Sequence, residues 1–449
     1  MIRGPVGVAA RLAEVPSLPR AQLALETARE VDRLVVDESA RLDLVWVRVL
    51  ARTGPAVTVV LAEQAATVAS PALALSRLVA AGPGRRWTTA AAGTVRWDGP
   101  AIQPGSGTDG LATTASNDLL VGQVGNQPAI LKAFRLLGSD RGEGRVLAAL
   151  GGRLTPRLLA EVSYQPPHAG PALPLALITE RLAGRTLDRP LLASLRQAWW
   201  AESDDLDPHT EHVLTRIRSE HHAFRAALAQ ACEPAPEDPA AAGRFRRVAL
   251  GAEIQVLAQD LPTQPSGLAA VLAAAAASVA GLHQPIPGPA HGDLHLANVL
   301  LGQDRVCFLD VGLPEPGFCA ADDGAALRRA VECLALDVLV DRTAGAQGRL
   351  PLEVVDDLVA AAVAGGPGNP LESAVPAELT AARRWLTQVC DLLDPWGAER
   401  LNLPYLDRLV HDLRYHTDRG DRYYSGLAWY HLVQAVDRLA RTSTQAAPA

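Results

Sequence analysis

The 449-residue sequence contains almost no lysine, since Lys132 is the only one among 42 lysine and arginine residues. Acidic residues outnumber basic ones, and the formal net charge is −7. Nucleic-acid binding requires a concentrated basic surface, so this charge balance argues against a nucleic-acid partner. Arginine cannot replace a compact ammonium group beside a crowded anion. The single lysine therefore indicates either a phosphate-binding side chain or a leftover lysine at a sheet edge.

Paired cysteines and long apolar runs are also missing. The five cysteines are widely spaced without a CxxC pair, which gives no support for a zinc or redox site and favours a reducing cytoplasm. Residues 1–20 lack the apolar core of a signal peptide. The most apolar run, residues 267–285, is mostly alanine and ends at a proline, which predicts a buried helix rather than a membrane span. We expect a cytoplasmic protein without a membrane partner, and the oligomeric state stays open.

The pattern of apolar residues divides the chain into a strand-rich first part and a helical remainder. Alternating residues predict two hairpins between Leu42 and Gly99, and a third that turns at Gly125–Pro128 and carries Lys132 on its return strand. A short helix is predicted to begin at Glu143, followed by a strand in residues 174–187. Beyond Pro190 the pattern changes to long amphipathic helices. This order predicts a two-lobed α+β architecture.

The segment HGDLHLANVLLGQDRVCFLDVG, residues 291–312, carries the clearest chemical signal. Asp293 lies in a predicted tight loop, Asn298 follows five residues later, and Asp310 ends an apolar strand. A carboxylate can orient a hydroxyl group and accept its proton, while an amide oxygen and a second carboxylate are hard ligands for Mg²⁺. Together with a lysine on a strand, these residue types indicate phosphoryl transfer. In the next helix, Asp322 or Asp323 is predicted to be the N-cap.

The pattern HGDLHxxN followed by LDxG resembles the catalytic and metal-binding loops of the aminoglycoside phosphotransferase superfamily, which is related to the protein kinases. The resemblance implies a bilobal protein-kinase-like fold with a β-rich N-lobe and a mostly helical C-lobe, and ATP and Mg²⁺ as cofactors. It makes Asp293 the catalytic base, Asn298 and Asp310 the Mg²⁺ ligands, and Lys132 the phosphate-pairing residue. It also makes Glu143 the ion-pair partner of the lysine, although a glutamate in a first helical turn is equally explained by the helix dipole.

The same resemblance implies further nucleotide contacts. Ser116 and Asn117 lie where such kinases place a small-residue loop over the ATP phosphates. Backbone groups from Glu180 to Leu182 correspond to the hinge that contacts the adenine edge, although an ordinary buried strand end has the same sequence character.

The length of the chain and its strand-rich first hundred residues resemble the actinobacterial maltokinase and glucosamine kinase branch, in which an extra N-terminal cap precedes the kinase lobes. This layout implies a cap subdomain in residues 1–100, an N-lobe nucleotide-binding subdomain in residues 101–188 and a helical C-lobe in residues 189–449.

The acceptor is implied to be a small sugar. The sequence has Asn298 where maltokinases carry glutamine, and DVGLPEPG where they carry DFEGEP. These departures disfavour maltose and leave an amino sugar such as glucosamine as the expected acceptor. The alternatives are a maltokinase, an aminoglycoside or other antibiotic phosphotransferase, and a nucleotide-binding pseudokinase.

Candidate acceptor-binding residues come from the catalytic loop and the last helix. They are Asp293, His295, Tyr430, Gln434 and Asp437. The last three share a helix face beside the expected core stripe, and a solvated face is an equally good interpretation of them.

Overall fold

The computed structural model describes residues 5–15, 23–51, 56–65, 67–80, 84–100, 102–104, 117–138, 142–167, 170–200, 206–231, 239–260, 268–282, 288–313, 319–343, 352–363, 378–393 and 402–445. The chain divides into two compact units, Met1–Ala183 and Gly184–Ala449. The first is rich in strands and the second in helices, as the sequence predicts. The mixed, β-then-α architecture of a kinase-like fold is therefore confirmed.

The elements of the first unit are, in chain order, α1 (Pro5–Glu14), β1 (Leu23–Asp37), β2 (Leu42–Ala51), β3 (Val57–Gln64), β4 (Thr67–Ala69), α2 (Pro71–Ala80), β5 (Arg85–Thr88), β6 (Thr94–Trp97), β7 (Ile102–Pro104), β8 (Asn117–Val124), β9 (Gln127–Phe134), α3 (Glu143–Leu150), β10 (Leu158–Gln165) and β11 (Leu173–Glu180). Strands β1–β4 form an antiparallel sheet in that order. The three hairpins predicted from the sequence are β2–β3, β5–β6 and β8–β9.

Strand β1 is an addition to the sequence prediction. Its pairing with β2 shifts register between Ala24 and Arg29, between Glu30 and Asp32, and between Val35 and Asp37. Each shift interrupts the alternation of inward and outward side chains, so a period of two cannot be found in this segment. The strand is therefore apparent only from its pairing.

A seven-stranded sheet has the order β5-β6-β10-β11-β9-β8-β7. The predicted boundary at residue 100 falls inside this sheet, because Trp97 of β6 pairs with Val162 of β10. Helix α2 packs on the face of the sheet that buries Leu131 and Ala133. The other face carries Lys132. A separate cap subdomain of residues 1–100 stays a prediction. The two compact units of the chain meet at residue 183.

The elements of the second unit are β12 (Arg185–Thr186), α4 (Asp188–Trp200), α5 (Pro208–Ala231), α6 (Pro239–Asp260), α7 (Leu268–Val279), β13 (Val299–Leu301), β14 (Val306–Phe308), α8 (Ala320–Thr343), α9 (Leu352–Val363), α10 (Glu378–Leu393), α11 (Asn402–Asp418) and α12 (Arg422–Gln445). Strands β12, β13 and β14 form a small sheet. A large apolar core, including Leu272, Leu409 and Leu432, joins α6, α7, α8, α9, α11 and α12. Among the described helices, none has the length and apolar composition needed to cross a bilayer.

Candidate functional site

Lys132 lies on a central strand of the seven-stranded sheet. It is flanked by Leu119 of β8 and Leu177 of β11, and its Nζ lies 2.6 Å from Oε2 of Glu143. The side chains of the pair are 14% and 9% exposed. The ion pair implied by the sequence resemblance is therefore present in the first unit.

Helix α3 begins at Glu143, directly after Gly142, whose φ of +69° favours glycine. The next residue, Gly144, allows a close approach of the helix to the sheet, because a Cβ there would lie 2.8 Å from Oε2 of Glu161 and 3.1 Å from Leu177. This packing brings the first turn of the helix to the lysine. The carboxylate of Glu143 in that turn also interacts favourably with the helix dipole. Both the ion pair with Lys132 and the dipole therefore favour a glutamate at this position.

Part of the sheet face that carries Lys132 is only half-buried. Val121 and Thr179 lie opposite Ile130 on the two neighbouring strands, and all three side chains are half-buried. An apolar surface beside a charged group is the kind of lining that ligand sites use. Contact of this face with a nucleotide base stays a prediction.

The predicted hinge residues follow β11. The N–H of Glu180 donates to the carbonyl of Arg157 at 3.0 Å, and its carboxylate accepts from the N–H of Arg157 at 3.0 Å. Within the described residues, the backbone N–H and carbonyl of Leu182 make no hydrogen bond. Of these two positions, Leu182 is thus the one whose backbone is available to a ligand.

The predicted phosphate loop is only partly described. Ser116 lies outside the described residues. Asn117 is the first residue of β8, pairs in register with Phe134, and is buried. Contacts of either residue with phosphates stay a prediction.

The predicted catalytic loop lies in the second unit and is anchored by Asp323 of α8. The Asp323 carboxylate is fully buried and accepts hydrogen bonds from the backbone N–H groups of His291 and Gly292, both at 2.9 Å, and contacts Nε2 of His221 at 2.7 Å. Burial alone would raise the pKa of Asp323, but these donors outweigh it and lower the pKa. The prediction that Asp322 or Asp323 is the N-cap is wrong, because α8 begins at Ala320.

His291 also holds this loop together. Its Nε2 donates to the carbonyl of Leu309 at 2.8 Å, and its Nδ1 faces the N–H of Asp293 at 3.4 Å. Burial lowers the pKa of His291, which keeps the imidazole neutral. Gly292 adopts a φ of +83°, a conformation that favours glycine in the tight turn.

Asn298 and Asp310 are arranged as oxygen donors. Nδ2 of Asn298 donates to the carbonyl of Asp293 at 3.0 Å, so the amide orientation is set, and Oδ1 accepts no hydrogen bond from the described residues. Asp310 is exposed and follows β14 with a φ of +56°, a left-handed conformation that aspartate adopts more readily than most residues other than glycine.

This donor set fits Mg²⁺. Among the described residues, no group of three or more His, Cys, Asp and Glu side chains could enclose a metal ion by itself. Mg²⁺ usually keeps water and phosphate ligands and takes only one or two from the protein, so the amide of Asn298 and the carboxylate of Asp310 suit it better than they suit zinc.

Arg408 of α11 contacts Asp293, and the sequence analysis did not identify it. Nη1 of Arg408 donates to Oδ1 of Asp293 at 2.6 Å. Burial opposes ionisation of the carboxylate, but Arg408 and then His295 outweigh it and lower the pKa of Asp293 to about 2. Asp293 is therefore ionised at neutral pH, as a proton acceptor requires.

The predicted acceptor-binding residues have different environments. His295 is half-buried in the catalytic loop, and Gln434 is half-buried on α12. Tyr430 is only 4% exposed and belongs to the helical core, so its ring packs against the protein. Asp437 lies on α12, but its side chain is outside the described part of the structure. An acceptor-binding role for these residues stays a prediction.

The chain is similar to solved kinase structures. A glucosamine kinase in complex with glucosamine, ADP and inorganic phosphate matches with a TM-score of 0.55 at 16% sequence identity, covering 93% of this chain and 96% of that one. A choline kinase from Cryptosporidium parvum Iowa II matches at 11% identity over 76% of this chain and 91% of its own, with a TM-score of 0.40. A thermostable mutant of aminoglycoside phosphotransferase APH(4)-Ia also has a TM-score of 0.40, at 13% identity over 76% of this chain and 96% of its own. No protein-family model and no curated protein sequence matches the chain.

Proposed function

Because the chain has the fold of the aminoglycoside phosphotransferase and protein-kinase-like superfamily, we propose that it transfers the γ-phosphoryl group of ATP to a hydroxyl group of a small sugar. The observation that carries the proposal is the catalytic loop, in which Asp293 is ionised and linked through its own carbonyl to the amide of Asn298. Asp310, which follows β14, supplies a second oxygen ligand from a left-handed backbone position. These are the groups that phosphoryl transfer needs.

The proposed reaction is a direct in-line transfer. Asp293 orients the acceptor hydroxyl and takes its proton while the acceptor oxygen bonds to the γ-phosphorus. The bond between this phosphorus and the bridging oxygen of ATP breaks, and ADP leaves. Mg²⁺, when bound by Asn298 and Asp310, neutralises the charge of the phosphate oxygens. In the first unit, Lys132 pairs with phosphate oxygens and Glu143 orients its ammonium group.

An amino sugar such as glucosamine is the proposed acceptor. The support is the glucosamine kinase complex, whose match covers nearly all of both chains. Asn298 and the DVGLPEPG segment disfavour maltose.

The four described cysteines are free thiols, which supports a reducing, cytoplasmic setting for this reaction.

The test is ATP consumption with Mg²⁺ against glucosamine, N-acetylglucosamine, glucose, maltose and several aminoglycosides. D293N is the blank, and D304N is the matched control because Asp304 is an exposed carboxylate in the turn between β13 and β14. We expect turnover of glucosamine that is lost in D293N and retained in D304N.

Four other outcomes would contradict the proposal in different ways. Turnover of antibiotics alone would identify an antibiotic phosphotransferase, and turnover of maltose alone would identify a maltokinase. Nucleotide binding without turnover of any acceptor would identify a pseudokinase. Full turnover by D293N would show that the proton acceptor is another group.

A further inference from the structure

Arg408 and Asp293 are 115 residues apart in sequence but in direct contact in the second unit. Nη1 of Arg408 lies 2.6 Å from Oδ1 of Asp293, and the side chains are 22% and 40% exposed. Oδ2 of Asp293 accepts no hydrogen bond from the described residues. One oxygen of the carboxylate is thus occupied by a cation, while the other is accessible.

Arg408 is itself held in place from the opposite direction. Its Nε lies 2.9 Å from Oδ1 of Asp412, one turn further along α11. Oδ2 of Asp412 in turn lies 3.5 Å from Nε of Arg329, which is buried on α8. The guanidinium therefore joins two carboxylates, and the second of these is tied to a buried cation.

We propose that Arg408, held by Asp412, is a positioning residue for Asp293: it occupies Oδ1 and leaves Oδ2 to take the proton of the acceptor hydroxyl. The inference rests on the proposed phosphoryl transfer, and it adds a residue from a distant helix to the site. A carboxylate with a single partner on one oxygen is restricted in its rotation, and correct orientation of a reacting group raises the rate without tightening substrate binding.

The planar guanidinium is suited to this role in a way that lysine is not. It donates a hydrogen bond from Nη1 to Asp293 and lies at ion-pair distance from Asp412 at the same time, whereas an ammonium on a flexible chain gives one mobile point charge. Because the carboxylate of Asp293 is partly exposed, the ion pair contributes little to stability. A positioning role and a purely structural role therefore predict different results on substitution.

The experiment compares R408Q, R408K and R414Q in steady-state transfer of phosphate to the best acceptor. Arg414 is the matched control, because it lies on the same helix and its Nη1 contacts Glu253 at 3.2 Å, away from Asp293. We expect R408Q to lower kcat by about 10- to 100-fold, while KM for ATP and the melting temperature stay unchanged. R408K is expected to recover part of kcat, and R414Q to resemble the unmodified protein.

Two results would overturn the proposal. The first is a kcat of R408Q within about twofold of the unmodified value. The second is a parallel loss of kcat and melting temperature in both R408Q and R408K, which would make Arg408 a structural residue. If R408Q does not fold, D412N replaces it, and the proposal then requires a lower kcat with unchanged KM for ATP.

A crystallographic comparison separates this inference from the proposed function. Crystals of the unmodified protein and of R408Q show whether the Asp293 carboxylate keeps one orientation, and this does not depend on any acceptor. A changed or mixed orientation in R408Q supports the positioning role, and an identical orientation overturns it. Absence of phosphoryl transfer by the unmodified protein would instead contradict the proposed function.

Discussion

Nζ of Lys132 lies 2.6 Å from Oε2 of Glu143, so the only lysine of the sequence is paired with a carboxylate from the helix that follows its strand. The pair explains why arginine is absent at this position. A guanidinium is longer and planar, and it would present its N–H groups in a fork instead of as a compact charge.

We predict that K132R loses activity although it retains the charge. The expected decrease in kcat/KM for ATP is at least about 100-fold, because the phosphate oxygens lose a correctly placed ammonium. E143Q is expected to lose about 10-fold, since the lysine keeps its charge but loses its partner. R145Q, which changes an exposed residue of the same helix, is the control and should match the unmodified protein. Activity of K132R near the control value would refute the phosphate-binding role.

Substitutions of Asp310 should separate backbone strain from metal binding. Its φ of +56° costs an alanine about 1–2 kcal/mol, whereas glycine and asparagine tolerate this conformation. We therefore expect D310A to be less stable than D310G and D310N in urea unfolding. All three variants should lose at least about 100-fold in Mg²⁺-dependent turnover, because each lacks the carboxylate. Retention of Mg²⁺-dependent turnover by D310G would show that this residue does not bind the metal.

His291 predicts a dependence of stability on pH. Burial lowers the pKa of its imidazole in the folded state, so the unfolded chain binds the proton more readily. The contribution of His291 to stability is therefore complete at neutral pH and decreases as the pH falls below about 6.5, the ordinary histidine value.

Melting temperatures of the unmodified protein and H291Q, measured from pH 5 to 8, check this prediction. The advantage of the unmodified protein should narrow toward pH 5. H222Q changes an exposed histidine of α5 and should give a constant difference across the range. A difference between the unmodified protein and H291Q that is also independent of pH would contradict the assignment of a neutral imidazole.

Asp323 is predicted to be essential for the stability of the catalytic loop. Its carboxylate accepts two backbone N–H groups at 2.9 Å in a fully buried position. In D323N, the amide NH₂ group would face one of these donors, and the free energy of unfolding should fall by about 3 kcal/mol. Urea unfolding of D323N and of the exposed control D304N measures the difference. Equal stability of the two variants would show that the loop does not depend on this anchor.

The sequence was informative wherever structure depends on neighbours along the chain. The hairpin that carries Lys132, the helix that begins at Glu143 and the strand before Asp310 were all predicted from periodicity and turn residues, because these features reflect local backbone geometry. Strand β1 was missed because its register shifts remove the alternation on which such prediction depends.

Contacts between distant segments had no comparable signal. The sequence predicts Asp322 or Asp323 as a helix N-cap, which is a local role, whereas in the structure the carboxylate of Asp323 binds a loop about 30 residues earlier. Arg408 was not identified, because nothing in the sequence around it differs from an ordinary amphipathic helix with surface charges.

The sequence by itself therefore determined which residue types are present for the proposed phosphoryl transfer and the order in which they occur. The tertiary structure decided how Asp293 is held, since the guanidinium of Arg408 reaches it only when α11 packs into the second unit. The physical reason is that backbone propensity acts over a few residues, while the orientation and ionisation of a carboxylate depend on whichever charges folding brings within a few ångströms of it.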